Sequence, residues 1–558
     1  MEKRIYSAAG LWKDFDDTGL PFDERIIKEV TEDGFVKTWL YFNGRQIGDT
    51  GVSRLLALTV RKKDKTKLPA LILVMSSGEP IDEEGALHWA KKGYAVIAVD
   101  NVGECDRELF TQYPESIKYA NFAFCGRHLT HCDLTAKETT WYEWAVNIRR
   151  AISFISAQNY VNKDEVGLIS MRDGATIACM VGAFDERLKA CAVLFGTSWI
   201  DIGLGNKLKG ELEDEEERDR WIAGIAPQSY LMYMKTPFYF CLGTNSAETD
   251  INKAFGAIQS IPKNTPAAVL LIPGVMEDGD EEFSHNLEKW LNFFIKNEGV
   301  CPTAPEIDFE VKEKKVYAVV KLAQAETITD VKIYYARETE NKRARHWVEQ
   351  KAENLGENLY KAQIDVISAI GAGYVFCTVT YRGGLALSSN LTKIKESVFA
   401  EIDYAERTKL IYKGAFGKTQ FVIYNPIGRT DRRYLSEHKL ALKKGPFDIK
   451  GISGTSLATF AFNDIKYIIE ENSTLAFDIY SEKSQILMAY YVKNYGLSSQ
   501  KTYELAVELI GGDFWQKICL DPNDFHNESD KPPENWKDCE IFSLVAENEI
   551  VLNNVLFA

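Results

Sequence analysis

The sequence predicts an α/β domain with a mostly parallel sheet covered by helices on both faces, followed by two all-β sandwiches. Three observations predict it. Between residues 68 and 296, near-continuous apolar runs alternate with amphipathic stretches, the pattern of strands buried on both faces between covering helices. At residues 297–305 a proline-bracketed segment breaks that alternation and reads as a linker. Beyond it, short β-rich runs separated by turn residues dominate to the end of the chain. The expected boundaries are 1–300, 301–400 and 401–558.

In chain order, Leu11-Trp12 opens a short apolar segment. Phe35, Trp39 and Tyr41 alternate with polar residues and predict a half-buried hairpin over residues 34–42 and 52–60. Ala70-Leu-Ile-Leu-Val74 predicts a buried strand. Residues 83–91 predict a helix ended by Lys92-Gly93, and Tyr94-Ala-Val-Ile-Ala-Val-Asp100 the next strand. Residues 137–156 place Trp141, Trp144, Ala145, Ile148, Ile152 and Ile155 on one helical stripe. Strands follow at 166–169, 190–195, 238–243 and 267–272, with a last helix over 281–296. In the middle segment, strands are expected at 307–311, 316–322, 330–335 and 374–381, the pattern of an immunoglobulin- or fibronectin-type sandwich without the Cys–Trp–Cys spacing of a true immunoglobulin domain. In the last, strands are expected at 408–412, 421–424, 456–462, 474–480, 486–492, 503–509 and 550–557, a size that suits a jelly roll.

Composition limits the classes of function. The 558 residues carry a net charge of -15, with 45% hydrophobic and 26% charged residues. An acidic chain repels phosphate backbones, which excludes nucleic acid as a general partner. No run of about 18 apolar residues occurs and the N-terminus has no apolar signal core, so neither a membrane span nor secretion is expected. Ten scattered cysteines with no CxxC fit a cytoplasmic protein. A homo-oligomer is compatible with all of this.

The most informative stretch is Val166-Gly-Leu-Ile-Ser-Met-Arg-Asp-Gly-Ala175. A buried strand turns sharply into an apolar helix, and such a turn needs small residues two before and two after its apex. Ser170 and Gly174 are small, so Arg172 is the apex. Ser170 as apex would put Leu168 and Arg172 at the crowded positions, and Asp173 would put Met171 there. The turn is a nucleophile elbow without a nucleophile.

These residues, with Leu68-Pro-Ala-Leu-Ile-Leu-Val74, Ala90-Lys-Lys-Gly-Tyr-Ala-Val-Ile-Ala-Val-Asp100, Trp141-Tyr-Glu-Trp, Arg149-Arg-Ala-Ile-Ser-Phe154 and Asp185-Glu-Arg-Leu-Lys-Ala190, resemble in order and spacing the acetyl xylan esterase and cephalosporin-C deacetylase group of α/β-hydrolases, within the dienelactone-hydrolase superfamily. The resemblance covers somewhat over half the chain. Phe514-Trp-Gln-Lys-Ile-Cys-Leu520, Trp536 and Val551-Leu-Asn-Asn-Val-Leu-Phe557 are similar to galactose-binding-like carbohydrate modules. The esterase resemblance implies a Ser-His-Asp triad and a His-Gly-rich oxyanion segment. Carried over residue by residue, the serine falls on Arg172, the acid near Ser246, the histidine near Glu277 or Asp278, and the oxyanion segment on Met75-Ser-Ser-Gly78. Acyl transfer needs a nucleophile, a base and an oxyanion hole, and an arginine supplies none of these.

The sequence therefore points to a catalytically degenerate carbohydrate-esterase-like protein that binds a carbohydrate or a small acylated or anionic sugar, without a cofactor. Two alternatives stand beside it: an active esterase with rearranged residues, and a structural or assembly protein using its β-sandwiches. Arg172 could receive an anion at the helix N-terminus, or be ion-paired with Glu248, Asp250, Glu277 or Asp278. Cys125-Gly-Arg-His128-Leu-Thr-His131-Cys132-Asp133 gathers metal-capable side chains on one loop, but zinc sites draw on separated pairs, so no metal is expected. His128 and His131 are candidate ligand contacts or relocated acid–base groups, and His285 a helix histidine. Trp515, Trp536, Tyr490, Tyr491 and Tyr495 could stack on sugar rings or fill a core; Trp515 is the binding candidate. Glu211-Leu-Glu-Asp-Glu-Glu-Glu-Arg-Asp219 reads as a solvated helix start or loop.

Overall fold

The structure is a computed structural model and describes residues 7–16, 19–48, 51–132, 134–200, 215–276, 282–301, 303–323, 327–428 and 432–558. The chain divides into two compact units. The first holds residues 1–242, 253–270 and 284–301, and the second residues 243–252, 271–283 and 302–558.

The α/β part runs α1 (Ala8–Trp12), β1 (Arg25–Glu32), β2 (Phe35–Ile47), β3 (Gly51–Lys62), β4 (Leu68–Val74), α2 (Glu83–Lys91), β5 (Ala95–Val99), α3 (Thr140–Ser156), β6 (Val161–Met171), α4 (Ala175–Phe184), β7 (Leu188–Leu194), α5 (Glu215–Gly224), β8 (Phe238–Gly243), α6 (Ile251–Ile258), β9 (Ala267–Ile272) and α7 (Glu282–Lys296). One nine-stranded sheet has the order β1-β2-β3-β5-β4-β6-β7-β8-β9. β1, β2 and β3 are antiparallel, β3 pairs antiparallel with β5, and β5, β4, β6, β7 and β8 pair in parallel. Setting β1 aside, an antiparallel second strand and a swap of the next two are the α/β-hydrolase arrangement, in which the strand at β6 leads into the elbow.

The reasons are local. Every residue of β4 and β5 is buried, so both strands are apolar throughout and take their partners from the middle of the sheet. Thr139 caps α3 through its side chain, accepting from the Tyr142 amide, so the helix starts three residues later than the apolar stripe predicts. Asp82 caps α2 in the same way, accepting from the Gly85 amide. β1 has no counterpart among the predicted strands. All eight of its residues are exposed, so it carries no alternation for a sequence pattern to detect.

The second unit is built from β-strands. Its first block comprises β10 (Glu306–Lys312), β11 (Lys315–Lys321), β12 (Ile328–Ala336), β13 (Val348–Gln350), β14 (Glu353–Gly356), β15 (Leu359–Ile364), β16 (Tyr374–Tyr381), β17 (Ala386–Ser388) and β18 (Thr392–Lys393). They form two sheets, β10-β11-β15-β14 and β13-β12-β16-β17, with β18 on β16. The later block comprises β19 (Leu410–Tyr412), β20 (Ala441–Lys444), β21 (Lys450–Thr459), β22 (Leu475–Ser481), β23 (Gln485–Lys493), β24 (Lys501–Leu509), β25 (Gln516–Leu520) and β26 (Ile541–Phe557). β26 is the organising strand, pairing with β19, β21, β22 and β23. Trp536, Phe462, Phe477, Tyr491 and Phe542 fill the core beside it. The strand expected at 421–424 is absent. Only Val422 makes a bridge, to Ala458, and Pro426 two residues beyond Tyr424 prevents a longer ladder.

The two blocks share a buried ion pair. Arg337 Nη1 lies 2.9 Å from Asp464 Oδ2, and His346 Nδ1 lies 3.2 Å from the same oxygen. Burial alone would raise the Asp464 pKa, but the Arg337 charge and the His346 contact outweigh it and hold the carboxyl at about 2. Among the described residues, no helix is long and apolar enough to cross a membrane.

Candidate functional site

The elbow forms where the sequence places it. β6 ends at Met171, a single 3-10 turn spans Arg172–Gly174, and α4 begins at Ala175. Arg172 has φ +48°, a left-handed conformation that costs a non-glycine residue about 1 kcal/mol or more. The surroundings enforce it. A Cβ on Gly174 would lie 2.9 Å from the Met75 carbonyl oxygen, and one on Gly196 would lie 2.3 Å from the Arg172 carbonyl oxygen. Ser170 is fully buried, and its hydroxyl donates to the Ala192 carbonyl at 3.5 Å. It is a packing residue beneath the turn.

Arg172 is ion-paired. Its Nη1 donates to Glu79 Oε1 at 3.2 Å, with both side chains less than a third exposed. This described partner, Glu79, lies on the loop after β4 and is not among the acids the sequence nominates. Asp173 binds the same loop. Its carboxylate accepts from the Ser76 hydroxyl at 2.6 Å, from the Ser77 amide at 2.8 Å, and from the Ser77 hydroxyl. Met75-Ser-Ser-Gly78, the segment aligned with an oxyanion loop, is thus clamped by the two residues at the elbow. The Ser77 amide is committed to Asp173. The cavity beside this loop measures about 10 Å³. That is room for about one water molecule.

The other slots lie in the second unit. Ser246 is half-buried, and its hydroxyl accepts from the Glu248 amide at 3.2 Å. Its neighbour Asn245 is fully buried and donates to the carbonyls of Arg343 and Arg345 at 2.8 and 2.9 Å, while Tyr495 donates to the Asn245 carbonyl at 2.9 Å. Met276 is buried in a cluster with Phe460, Val492, Tyr495 and Ile541. Asn245 and Met276 serve packing. Glu277 and Asp278 lie outside the described residues, as do Asp133, the side chain of His285 and residues 211–214 of the acidic run, whose remainder enters α5.

His128 stacks on Tyr119 at 4.3 Å, and its Nδ1 donates to the Glu138 carbonyl at 2.9 Å. That bond fixes the tautomer and leaves Nε2 as the basic nitrogen. His131 Nδ1 lies 2.9 Å from the Thr130 hydroxyl, the one hydroxyl in described contact with either ring. Thr130 is 4% exposed, which keeps that pair from substrate. Among the described residues, no group of three or more His, Cys, Asp or Glu side chains is arranged to hold a metal ion.

Trp536, Tyr490, Tyr491 and Tyr495 are core residues, each at most 2% exposed. Trp515 differs. It is half-buried, its indole N–H donates to the Pro446 carbonyl at 3.0 Å, and a Cβ on Gly445 would lie 2.6 Å from its ring. It therefore packs over the turn that follows β20. That turn presents Phe447, 87% exposed and at φ +61°, and Phe514 beside Trp515 is 41% exposed. Phe447 was invisible in the sequence pattern; the signal was an aromatic between Pro446 and Asp448 in a turn.

No protein-family model matches the chain, and no curated protein does. Solved structures do. The chain is similar to acetyl xylan esterase 1 from Thermoanaerobacterium sp., with a TM-score of 0.44 and 16% identity over 52% of this chain and 95% of that one. It is similar to an acetyl xylan esterase from Paenibacillus sp. R4, with a TM-score of 0.39 and 14% identity over 51% and 92%. A cold-adapted esterase from an Arctic intertidal metagenomic library is matched at a TM-score of 0.32 and 11% identity over 48% and 97%.

Proposed function

We propose that this chain is a carbohydrate-esterase-like protein whose acyl-transfer site has been lost and whose remaining role is to bind a carbohydrate or sugar-derived ligand. One observation carries the reading: the residue at the left-handed apex of the elbow is Arg172, locked to Glu79 at 3.2 Å. A guanidinium stays protonated at any working pH, so it can neither attack a carbonyl nor take a proton. The clamp on Ser76 and Ser77 supports the same conclusion.

The alternative of an active esterase using His128 or His131 is weaker, because the hydroxyl beside His131 is buried. In the second unit, the order β10-β11-β15-β14 against β13-β12-β16-β17 supports an immunoglobulin- or fibronectin-type sandwich. The later block, with its aromatic core about β26, supports a jelly roll of galactose-binding-like type. Its ligand face is the turn bearing Phe447, Trp515 and Phe514, since exposed aromatic faces suit the C–H side of a sugar ring. Ten free thiols support a cytoplasmic location.

Binding of xylo-oligosaccharides to the full chain, by titration calorimetry, tests the ligand half of the proposal. The expected result is binding that Trp515→Ala weakens at least tenfold. Equal affinity in both proteins would move the ligand face elsewhere. Capture of a protein partner through Phe447, with no sugar bound, would favour an assembly role instead.

A further inference from the structure

A cleft of about 410 Å³ opens in the first unit, lined by Phe15, Leu20, the β2 residues Arg45 and Gln46, Lys137, and the α3 residues Tyr142 and Val146. It shares no lining residue with the cavity at the elbow. Its volume is that of a small-molecule site.

The charges on it are unequal in kind. Arg45 Nε donates to Glu143 Oε2 at 2.9 Å and its Nη2 donates to the other carboxylate oxygen, so Nη1 has no described partner. Glu143 is 1% exposed, and its charge offsets that of Arg45. Lys137 is half-buried, and its ammonium makes no hydrogen bond or ion pair among the described residues. Arg150, 2% exposed, donates to the carbonyls of Asn43 at 3.0 Å and of Leu20, which fixes the wall. Asp14 and Asp16 are exposed lining residues.

We propose that this cleft binds a small organic carboxylate, held by Lys137 Nζ and Arg45 Nη1, with a ring-sized body against Leu20 and Val146. One ammonium without a described partner and a guanidinium edge lining the same cleft match a single negative charge. A dianion such as phosphate is disfavoured, because Asp14 and Asp16 on the lining oppose further negative charge. The apolar lining selects a compact ring over an extended chain. The ring acid could be a sugar acid or an alicyclic one, which share this chemistry. The site does not depend on whether the elbow is catalytically dead.

The test is titration of the full-length chain with cyclohexanecarboxylate, with glucuronate, and with cyclohexanecarboxamide as the uncharged match. At least one acid is expected to bind with a Kd below roughly 1 mM. The amide is expected to bind at least tenfold more weakly, and Lys137→Met to weaken the acid about tenfold, as loss of a charge-assisted contact does. The melting temperature of Lys137→Met is expected to match wild type. Arg45→Met is the poorer variant, because it would strand Glu143. Preference for glucuronate assigns a sugar acid, and preference for cyclohexanecarboxylate an alicyclic one. No binding by either acid, equal binding by the amide, or unchanged affinity in Lys137→Met would overturn the proposal.

Discussion

Arg172 and Glu79, 93 positions apart in sequence, meet at 3.2 Å at the apex of the elbow. The pair fixes a cation at the apex of the turn and holds the neighbouring loop against it.

The backbone at Arg172 should report this strain. At φ +48°, glycine fits without cost, whereas alanine keeps the penalty. Both substitutions remove the ion pair, which is worth about 1 kcal/mol in this partly exposed setting. Arg172→Gly is therefore expected to be more stable than Arg172→Ala by about 1 kcal/mol in urea unfolding. Equal stabilities would mean that the turn relaxes once the side chain is gone.

Asp173 should be the stronger clamp. It accepts three hydrogen bonds from the half-buried Ser76 and Ser77, whose donors Asp173→Ala leaves without it. A loss of about 2–3 kcal/mol is expected, the scale of hydrogen bonds to a charged group. Amide hydrogen exchange at Ser77 should quicken in the variant and stay unchanged in Trp515→Ala.

Much of this elbow was legible in the sequence. Ser170 and Gly174 flank the apex at the spacing a crowded turn demands, so Arg172 could be located before any coordinates. Its partner could not be, because the Glu79 contact exists only after β4 and β6 pair. The histidine loop gathers its side chains close in sequence, and the fold sets them on different partners: His128 bonds to the Glu138 carbonyl and His131 contacts Thr130. The final strand was read only from residue 550 onward. The polar Glu547-Asn548-Glu549 interrupts the apolar pattern, while β26 runs through it from Ile541, with a register shift opposite Gly454 and Ser456.

The Arg337–Asp464 pair gives the second unit an acid sensitivity. Asp464 titrates at about 2 when folded and near 4 when unfolded. Its contribution is therefore complete above about pH 4 and is lost as the pH falls toward 2. Asp464→Asn leaves Arg337 buried without its counter-charge and is expected to cost about 3–5 kcal/mol near neutral pH. Urea unfolding from pH 7 to 2 should show the wild type approaching the variant at the acid end. Parallel curves would show that Asp464 is not the linked group.

Phe447 is exposed and strained, so it should cost stability and serve binding. Phe447→Gly is expected to raise stability by up to about 1 kcal/mol, since glycine accepts φ +61°, while weakening oligosaccharide binding. A loss of stability would show that the aromatic ring packs in solution.

Turnover bears most directly on the central claim that acyl-transfer chemistry is gone from the elbow. Hydrolysis of a small aryl acetate and of acetylated xylo-oligosaccharide should be measured for the purified chain beside Arg172→Ala. Neither protein is expected to exceed the buffer rate. Saturable hydrolysis by the wild type that Arg172→Ala abolishes would contradict that claim, and would make Arg172 part of a working site.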